Sequence, residues 1–137
     1  MLEACMPQKK EACMIQVGTH LQVSDNSGAR LVQCIKVLRK TRQGMGRVGD
    51  TVVISVKALV RKQKSKVKKG HLYKAVVLET KKRTTRPDGS VFGFARNTVI
   101  LLSVQGTPIG SRIQGFTPYE LREKKHTKLL SLSMANV

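Results

Sequence analysis

The amino-acid sequence predicts a mainly β fold, built as one small closed or nearly closed barrel. Short segments rich in valine, isoleucine and leucine recur at intervals of about 10 to 20 residues, and turn-forming residues separate them. No long helical period runs through the chain, and closure of a barrel removes exposed strand edges. A length of 137 residues corresponds to one domain with a single core.

The first 13 residues differ from the rest of the chain. They contain two lysines and two glutamates, so the whole formal net charge of +18 belongs to residues 14–137. We therefore predict a flexible N-terminal extension over 1–13 and a single domain over 14–137.

Four apolar segments predict the strands. One of them alternates apolar and mostly polar residues with a period of two, which is typical of a half-buried strand, and the others are nearly continuous runs of strand length. In chain order they are Leu31–Leu38, the alternating Thr51–Lys57, Ala75–Leu78 and Thr98–Val104. The turns between strands are predicted at Asp25–Gly28, Gly44–Gly46 and Arg86–Gly89, because Gly, Asn and Asp tolerate positive φ and Pro presets a turn.

The C-terminal part predicts a short helical region. Thr117 is a possible N-cap, Pro118 suits the first helical position and Glu120 suits the third. The apolar residues Leu129, Leu130 and Leu132 are expected to dock this region on the barrel.

Most of the charge lies in one part of the chain. Residues Arg61–Arg86 contain eleven Lys or Arg and one Glu, a net charge of +10 in 26 residues. The densest part, Arg61–Gly70, predicts an extended basic β-ribbon or long loop that projects from the barrel. On a strand, alternate side chains would lie about 6.6 Å apart, a spacing suited to tracking a nucleic-acid backbone.

A polyanion is the partner that this charge imbalance favours, since an ordinary soluble surface mixes acids with bases. The longest apolar run, Val99–Leu102, is far too short to cross a membrane. Aromatic residues are few and do not alternate with the basic ones, so we expect contacts with the phosphates and shape of a folded RNA rather than base stacking.

The sequence contains little that indicates a catalytic site or a metal site. Four of the carboxylates past the extension have structural explanations in turns, before a strand or at a helix start: Asp25, Asp50, Asp88 and Glu120. His20, His71 and His126 are about fifty residues apart, and Cys5, Cys13 and Cys34 form no paired metal motif. We expect no enzyme, no cofactor and no metal, with free thiols rather than disulfides.

Eight motifs follow one another along the domain: Val23–Arg30, Cys34–Val37, Val48–Asp50, Val67–Gly70, Lys74–Val77, Arg86–Ser90, Pro108–Ile113 and Glu120–Arg122. Together they resemble the universal large-subunit ribosomal protein fourteen family, closest to its bacterial and organellar branch. The resemblance implies a five-stranded barrel with a projecting ribbon and a short C-terminal helical region, bound to large-subunit rRNA beside neighbouring ribosomal proteins. It further implies a non-enzymatic structural role.

Two sets of site residues are expected on this basis. Those predicted to bind rRNA are Arg30, Lys36, Arg39, Lys40, Arg42, Arg47, Arg61, Lys62, Lys64, Lys66, Lys68, Lys69, Lys81, Lys82, Arg83 and Arg86. Those predicted to face small-subunit rRNA across the subunit interface, where a ribosome-silencing factor can also dock, are Arg96, Ser111, Arg112, Arg122 and Lys125.

Departures from the family pattern favour a mitochondrial protein, with the bacterial cytoplasm or a plastid as alternatives. Arg96 stands in a corner that often carries an acid, and His71 stands where an aspartate is common. The alternative function is a free-standing RNA chaperone or regulator with an OB-like barrel, and a basic nuclease is a third hypothesis. Sedimentation with the large subunit at high salt separates the first two.

Overall fold

Five of the strands form a closed barrel. The computed structural model describes residues 15–38, 46–60, 66–123 and 126–136. Its elements are β1 His20–Val23, β2 Ala29–Val37, β3 Thr51–Leu59, β4 Leu72–Glu79, β5 Thr84–Thr85, β6 Val91–Phe92, β7 Thr98–Leu102, β8 Ile113–Thr117, α1 Glu120–Glu123, α2 Thr127–Leu132 and β9 Ser133–Asn136. The ring runs β1-β2-β3-β4-β7 and closes through a parallel pairing of β1 with β7. The predicted mainly β fold and five-stranded barrel are confirmed.

The interior of the barrel is filled by alternate side chains. Val52, Ile54 and Val56 of β3 are fully buried, which confirms the alternation read from the sequence. Cross-strand pairs such as Cys34 with Ile54 bring the inward residues of neighbouring strands together. Burial raises the pKa of the Cys34 thiol, so this cysteine belongs to the packing of the core.

A second apolar cluster lies on the outer face of β4 and β7. The outward residues of these strands pack against Ile113 of β8 and Leu121 of α1, with Leu129 and Leu130 of α2. Both faces of β7, and of β4 from Ala75 onward, are therefore buried, which explains why these segments appear in the sequence as continuous apolar runs. The predicted docking of Leu129, Leu130 and Leu132 on the barrel is confirmed, with Leu132 partly buried.

An irregularity in β2 changes which residues face outward. The pairing with β3 shifts between Cys34 and Lys36, so Ile35 and Lys36 are both exposed before Val37 returns to the interior. A bulge of this kind inserts one residue without a partner and resets the alternation. It places the Lys36 ammonium on the outside of the barrel.

The basic segment Arg61–Gly70 is not a strand where the structure describes it. Residues 66–70 form bends and a turn, and Val67 is 2% exposed within the barrel core. The Lys66 amide donates to the Ser27 carbonyl and the Gly70 amide to the Val56 carbonyl. The strand spacing predicted for this segment is therefore wrong for 66–70, because burial of Val67 fixes the chain against the barrel. A two-stranded ribbon is found instead in β5 and β6.

The helix near the C-terminus begins later than its capping pattern predicts. Thr117 belongs to β8, and its hydroxyl hydrogen-bonds to Ser133 Oγ and the Ala135 carbonyl. Pro118 precedes the four-residue helix α1, which starts at Glu120. The helix therefore begins three residues after the expected N-cap, because Thr117 ends β8, which pairs with β9.

Of the remaining local predictions, some are confirmed, one is wrong in its length, and some lie outside the described residues. The turns at Asp25–Gly28 and Arg86–Gly89 are confirmed, the second by a Gly89 amide that donates to the Arg86 carbonyl. Val104 is fully exposed at a turn after β7, so the predicted strand Thr98–Val104 is two residues too long. The extension 1–13 and most of the turn Gly44–Gly46 lie outside the described residues.

Candidate nucleic-acid interface

Two basic groups that are distant in sequence line one cavity. Arg47, Lys82 and Arg83 surround a volume of about 310 Å³, together with Thr80 and Thr85. Three cations around one concave surface, with the exposed Thr85 beside them, provide donors suited to a phosphate. The structure thus combines two of the predicted rRNA-binding groups into a single candidate anion site.

Backbone hydrogen bonds to the end of β4 hold the Arg47 side of this cavity in place. Asp50 Oδ2 accepts a hydrogen bond from the Arg47 amide at 2.7 Å. The Gly49 amide donates to the Val77 carbonyl, and the Val77 amide donates to the Asp50 carbonyl. Because the buried Asp50 ties its turn to β4, Arg47 lies beside the segment that leaves that strand.

The β5–β6 ribbon carries the other basic side of the interface. Lys81 and Arg83 are exposed, while Arg86 is partly buried. Arg86 Nε donates to Glu120 Oε1 at 2.7 Å, and its guanidinium carbon lies 4.4 Å from the centroid of the Phe92 ring. The predicted rRNA-binding Arg86 therefore joins the ribbon to α1 within the fold.

The ribbon turn is stabilised by its own aspartate. The backbone amide and hydroxyl of Ser90 both donate to Asp88 Oδ1, at 3.0 and 2.7 Å. These hydrogen bonds hold the pKa of the Asp88 carboxyl below its ordinary value of 3.8, with a smaller contribution from Arg86. The carboxyl group in this basic region is thus used to shape the turn.

A row of exposed cations crosses the outside of the barrel. Lys36 of β2 lies opposite Val53 of β3, which lies opposite Lys74 of β4. Two strand spacings separate the lysines by about 10 Å. Lys74 was not among the predicted site residues, because only the register brings it level with Lys36.

The segment 66–70 presents three of the predicted lysines at one end of the barrel. Lys66, Lys68 and Lys69 are exposed around the buried Val67. Lys66 Nζ lies 3.4 Å from the Ile109 carbonyl oxygen, and the Lys68 amide donates to the Tyr73 hydroxyl. The position of these lysines is therefore set by the barrel.

Several carboxylates that could have offset these cations are used inside the fold. Asp25, which is 7% exposed, accepts from the Ser27 amide and hydroxyl at Oδ1 and from the Leu101 amide at Oδ2. Burial nevertheless raises the pKa of the Asp25 carboxyl above its ordinary 3.8, against the effect of those hydrogen bonds. Asp25 and Asp50, the carboxylates on which a nuclease hypothesis would depend, thus accept backbone hydrogen bonds.

The described residues predicted to face the small subunit belong to different local networks. Ser111 and Arg112 are exposed on one turn, where Asn26 Oδ1 accepts hydrogen bonds from both of their amides. An added Cβ at Gly110 would lie 2.8 Å from Asn26 Oδ1 and Asp25 Cβ, so this close approach requires glycine. Arg122 is exposed on α1.

Arg96 lies in a different network. Its Nε is 3.1 Å from Oε2 of Glu79, whose side chain is only 4% exposed, whereas the Arg96 side chain is 47% exposed. Glu79 Oε1 accepts from the Phe116 amide, so the carboxylate joins β4, the loop before β7, and β8. Arg96, in the corner expected to be more basic than the family pattern, is thereby paired with a buried glutamate.

Seven predicted site residues lie outside the described residues: Arg39, Lys40, Arg42, Arg61, Lys62, Lys64 and Lys125. Among the residues that the structure describes, no helix has the length and apolarity needed to cross a membrane. Within the same part of the chain, no three His, Cys, Asp or Glu side chains are grouped so that they could hold a metal ion.

The aromatic part of this surface was not predicted from the sequence. Phe92 and Phe94 meet edge to face with ring centroids 5.8 Å apart. They line a cavity of about 430 Å³ together with Lys81 and Arg83. The sequence places these cations and rings about ten residues apart, and only the fold of the ribbon makes them neighbours.

Comparison with known families assigns this basic barrel to one of them. A family model described as ribosomal protein L14p/L23e matches residues 14–137. The matched region begins where the predicted domain begins and includes every element of the fold described above.

Proposed function

Because the chain belongs to the ribosomal protein L14p/L23e family and is thus a structural protein of the large ribosomal subunit, we propose that it binds large-subunit rRNA through the basic surface described above. Residues 14–137 act as one domain in this proposal. The observation that carries it is the convergence of Arg47, Lys82 and Arg83 on a single cavity. The family's structural role also favours a ribosomal component over the free-standing regulator and the nuclease.

The physical role proposed for the cations is neutralisation of phosphates. RNA segments that repel one another can approach when lysine and arginine side chains replace their counterions. Eight of the predicted rRNA-binding side chains are exposed in the described residues: Arg30, Lys36, Arg47, Lys66, Lys68, Lys69, Lys81 and Arg83. Backbone hydrogen bonds fix the turns that carry several of them, so RNA binding orders little of these described turns.

The rRNA affinity of the full chain should therefore depend steeply on salt. If about eight phosphates are neutralised, a plot of log affinity against log salt concentration has a slope of about −6 to −7. Filter binding or fluorescence anisotropy with large-subunit rRNA, at several potassium chloride concentrations, measures this slope. An affinity independent of salt contradicts the proposal. Recovery mainly in light fractions at high salt, rather than with the large subunit, favours the free-standing regulator.

The same proposal includes a contact with small-subunit rRNA. The Ser111–Arg112 turn supports this part, since Asn26 holds both backbone amides and leaves the two side chains exposed. Arg122 on α1 and the partly exposed Arg96 provide further cations. A ribosome-silencing factor that blocks subunit joining would use the same exposed turn.

Replacement of Arg112 with glutamate should weaken subunit joining more than incorporation into the large subunit. A reversed exposed charge changes the association constant by about 5-fold, as expected for about 1 kcal/mol, while the Asn26 hydrogen bonds to the backbone remain. Light scattering of purified subunits measures joining, and sedimentation measures incorporation. Lys57→Glu, an exposed change on β3, is the matched control. Equal loss of joining in both variants, or equal loss of joining and incorporation for Arg112→Glu, argues against an intersubunit position.

The compartment and the protein neighbours complete the proposal. A mitochondrial ribosome is favoured by the 13 residues that precede the matched region and by the departures at His71 and Arg96. The bacterial cytoplasm and the plastid remain the alternatives. Other large-subunit proteins are the expected protein neighbours.

A further inference from the structure

The β5–β6 ribbon carries a cavity that differs in chemistry from the rest of the basic surface. Lys81, Arg83, Phe92 and Phe94 line it, with Val91 and Gly93, and its volume is about 430 Å³. This volume lies within the range of about 300 to 1,000 Å³ found for small-molecule sites. Elsewhere the interface offers cations and polar groups, whereas here two partly buried aromatic rings adjoin two exposed cations.

We propose that this cavity receives one unstacked nucleobase of the bound RNA, which stacks on the aromatic lining while Arg83 holds the adjoining phosphate. The inference rests on the proposed rRNA binding and deepens it by naming a nucleobase contact. Aromatic side chains bind bases of any sequence through their π faces, and single-stranded loops and bulges offer such bases in folded RNA.

The rings are held in place before any ligand binds. Phe92 belongs to β6 and pairs with β5, and the Arg86 guanidinium packs 4.4 Å from its ring centroid. Phe94 comes two residues later, after Gly93, and its amide donates to the Thr80 carbonyl at 3.1 Å. Since Arg86 is in turn bound to Glu120, the aromatic pair is tied to both the barrel wall and α1. A rigid lining loses little conformational entropy when a base stacks on it.

Packing and a backbone hydrogen bond also position the two cations of this cavity, Arg83 and Lys81. An added Cβ at Gly93 would lie 3.3 Å from Arg83 Cγ, so the ribbon backbone packs against the stem of the arginine. The Lys81 amide donates to Asn97 Oδ1 at 2.9 Å, which fixes the segment leaving β4. The glycine at 93 therefore lets the Arg83 stem lie along the cavity wall.

Arg83 links the base site to the phosphate site. It lines both the aromatic cavity and the smaller cavity that contains Arg47 and Lys82. A nucleotide carries its base and its phosphate on one sugar, so adjacent sites of these two chemistries match its two ends. A duplex keeps its base faces stacked inside, so its backbone could fill the Arg47 cavity alone, whereas an extruded nucleotide can fill both cavities.

Ultraviolet crosslinking of the full chain to large-subunit rRNA tests the proposal, because short-wavelength light joins a base only to a side chain that it touches. Trypsin cuts after Arg83 and Arg96, and Pro87 protects Arg86, so both rings fall in the single peptide 84–96. We expect a nucleotide adduct on that peptide. Phe94→Leu should remove it and weaken rRNA binding by about 5- to 100-fold, with the salt slope unchanged because no phosphate contact is lost.

Two control variants keep the result interpretable. Phe94→Tyr retains the ring and should retain the adduct and the affinity, and Phe116→Leu removes an aromatic ring that is 51% exposed elsewhere and should change neither. If peptide 84–96 carries no adduct and Phe94→Leu binds rRNA normally, the nucleobase site is overturned while the proposed rRNA binding stands. If wild type binds no rRNA, the proposed function itself fails. Loss of Phe94→Leu from the large subunit with unchanged rRNA affinity assigns the cavity to a neighbouring protein and also overturns the proposal.

Discussion

Replacement of Asp25 with alanine is expected to lower the free energy of unfolding by about 2–4 kcal/mol, because buried donors then lose their acceptor. The two carboxylate oxygens accept from the Ser27 amide and hydroxyl and from the Leu101 amide. Leu101 is fully buried in the barrel interior, so water cannot replace the lost acceptor without opening the core. Urea denaturation followed by circular dichroism measures the change.

The loss should extend beyond the barrel. Asp25 pairs with Ile113 of β8 through an isolated bridge, and the Gln114 amide donates to the Ser24 carbonyl at 2.6 Å. The neighbouring Asn26 holds the Ser111–Arg112 turn. Hydrogen exchange at the Ser111 and Arg112 amides should therefore accelerate in Asp25→Ala, whereas a defect confined to the barrel would leave that turn protected.

The pH dependence of the same residue provides a second readout. The folded-state pKa of Asp25 lies above its ordinary value of 3.8 because of burial. Its ionisation therefore favours the unfolded state, and the stability associated with the protonated group is present below pH 3.8 and is lost as pH rises through the raised folded value. As pH rises through that window, the unfolding free energy of wild type should therefore fall relative to that of Asp25→Asn, which does not titrate there.

Asp88→Asn is the matched control, with the opposite sign. Hydrogen bonds from Ser90 lower the pKa of the exposed Asp88, so its contribution to stability is present above pH 3.8 and is lost as pH falls through the folded value. A pH-independent difference between wild type and Asp25→Asn contradicts the assigned shift. An Asp25→Ala variant as stable as wild type contradicts the hydrogen-bond network.

The sequence predicted the barrel strands better than their surroundings. The alternation in β3 is visible because one face of that strand meets the core, whereas the continuous apolar runs of β4 and β7 conceal the fact that their outer faces are also buried. Ile113, Leu121, Leu129 and Leu130 cover those faces. Periodicity alone does not identify the covering elements, so the second cluster emerges only from the three-dimensional packing.

Local rules failed where a tertiary contact competed with them. Thr117, Pro118 and Glu120 satisfy a capping pattern, yet Thr117 ends β8, which pairs with β9, and the helix starts only at Glu120. The basic segment 66–70 alternates like a strand, yet burial of Val67 turns it back toward the barrel. In both places a long-range contact stabilises the chain more than the local preference does.

The sequence predicted which basic residues belong to the candidate site, but not how they are arranged in space. The sequence identified Arg47, Lys82 and Arg83 as members of separate basic groups, and the ties between the Asp50 turn and β4 bring them to one cavity. The sequence also counted Arg86 among the binding cations, although its bond to Glu120 makes it part of the framework. Charge density therefore predicted the class of partner, while the fold determines which cations can share a phosphate.

Replacement of the three converging cations with glutamine should weaken rRNA binding more than replacement of three other exposed cations with glutamine. In the variant Arg47→Gln, Lys82→Gln, Arg83→Gln we expect an affinity about 100-fold lower near physiological salt and a salt slope shallower by about 2 to 3, since each lost phosphate contact removes about 0.7 to 0.9. Glutamine keeps the length and polarity of these side chains, and the backbone amide of Arg47 still donates to Asp50. Thermal unfolding should remain close to that of wild type.

A control variant that removes three positive charges elsewhere distinguishes direct contacts with phosphates from long-range attraction by the net charge. Lys57→Gln, Arg122→Gln and Lys128→Gln change three exposed residues on β3, α1 and α2, none of which is a predicted contact of large-subunit rRNA, the RNA used in the assay. Long-range attraction depends on the net charge, so it falls equally in both triple variants and is screened by salt. Contact with phosphates depends on position, so only the cavity variant should show the shallower slope. Equal losses of affinity and slope in the two variants would mean that the cavity is no more than part of a diffuse positive field.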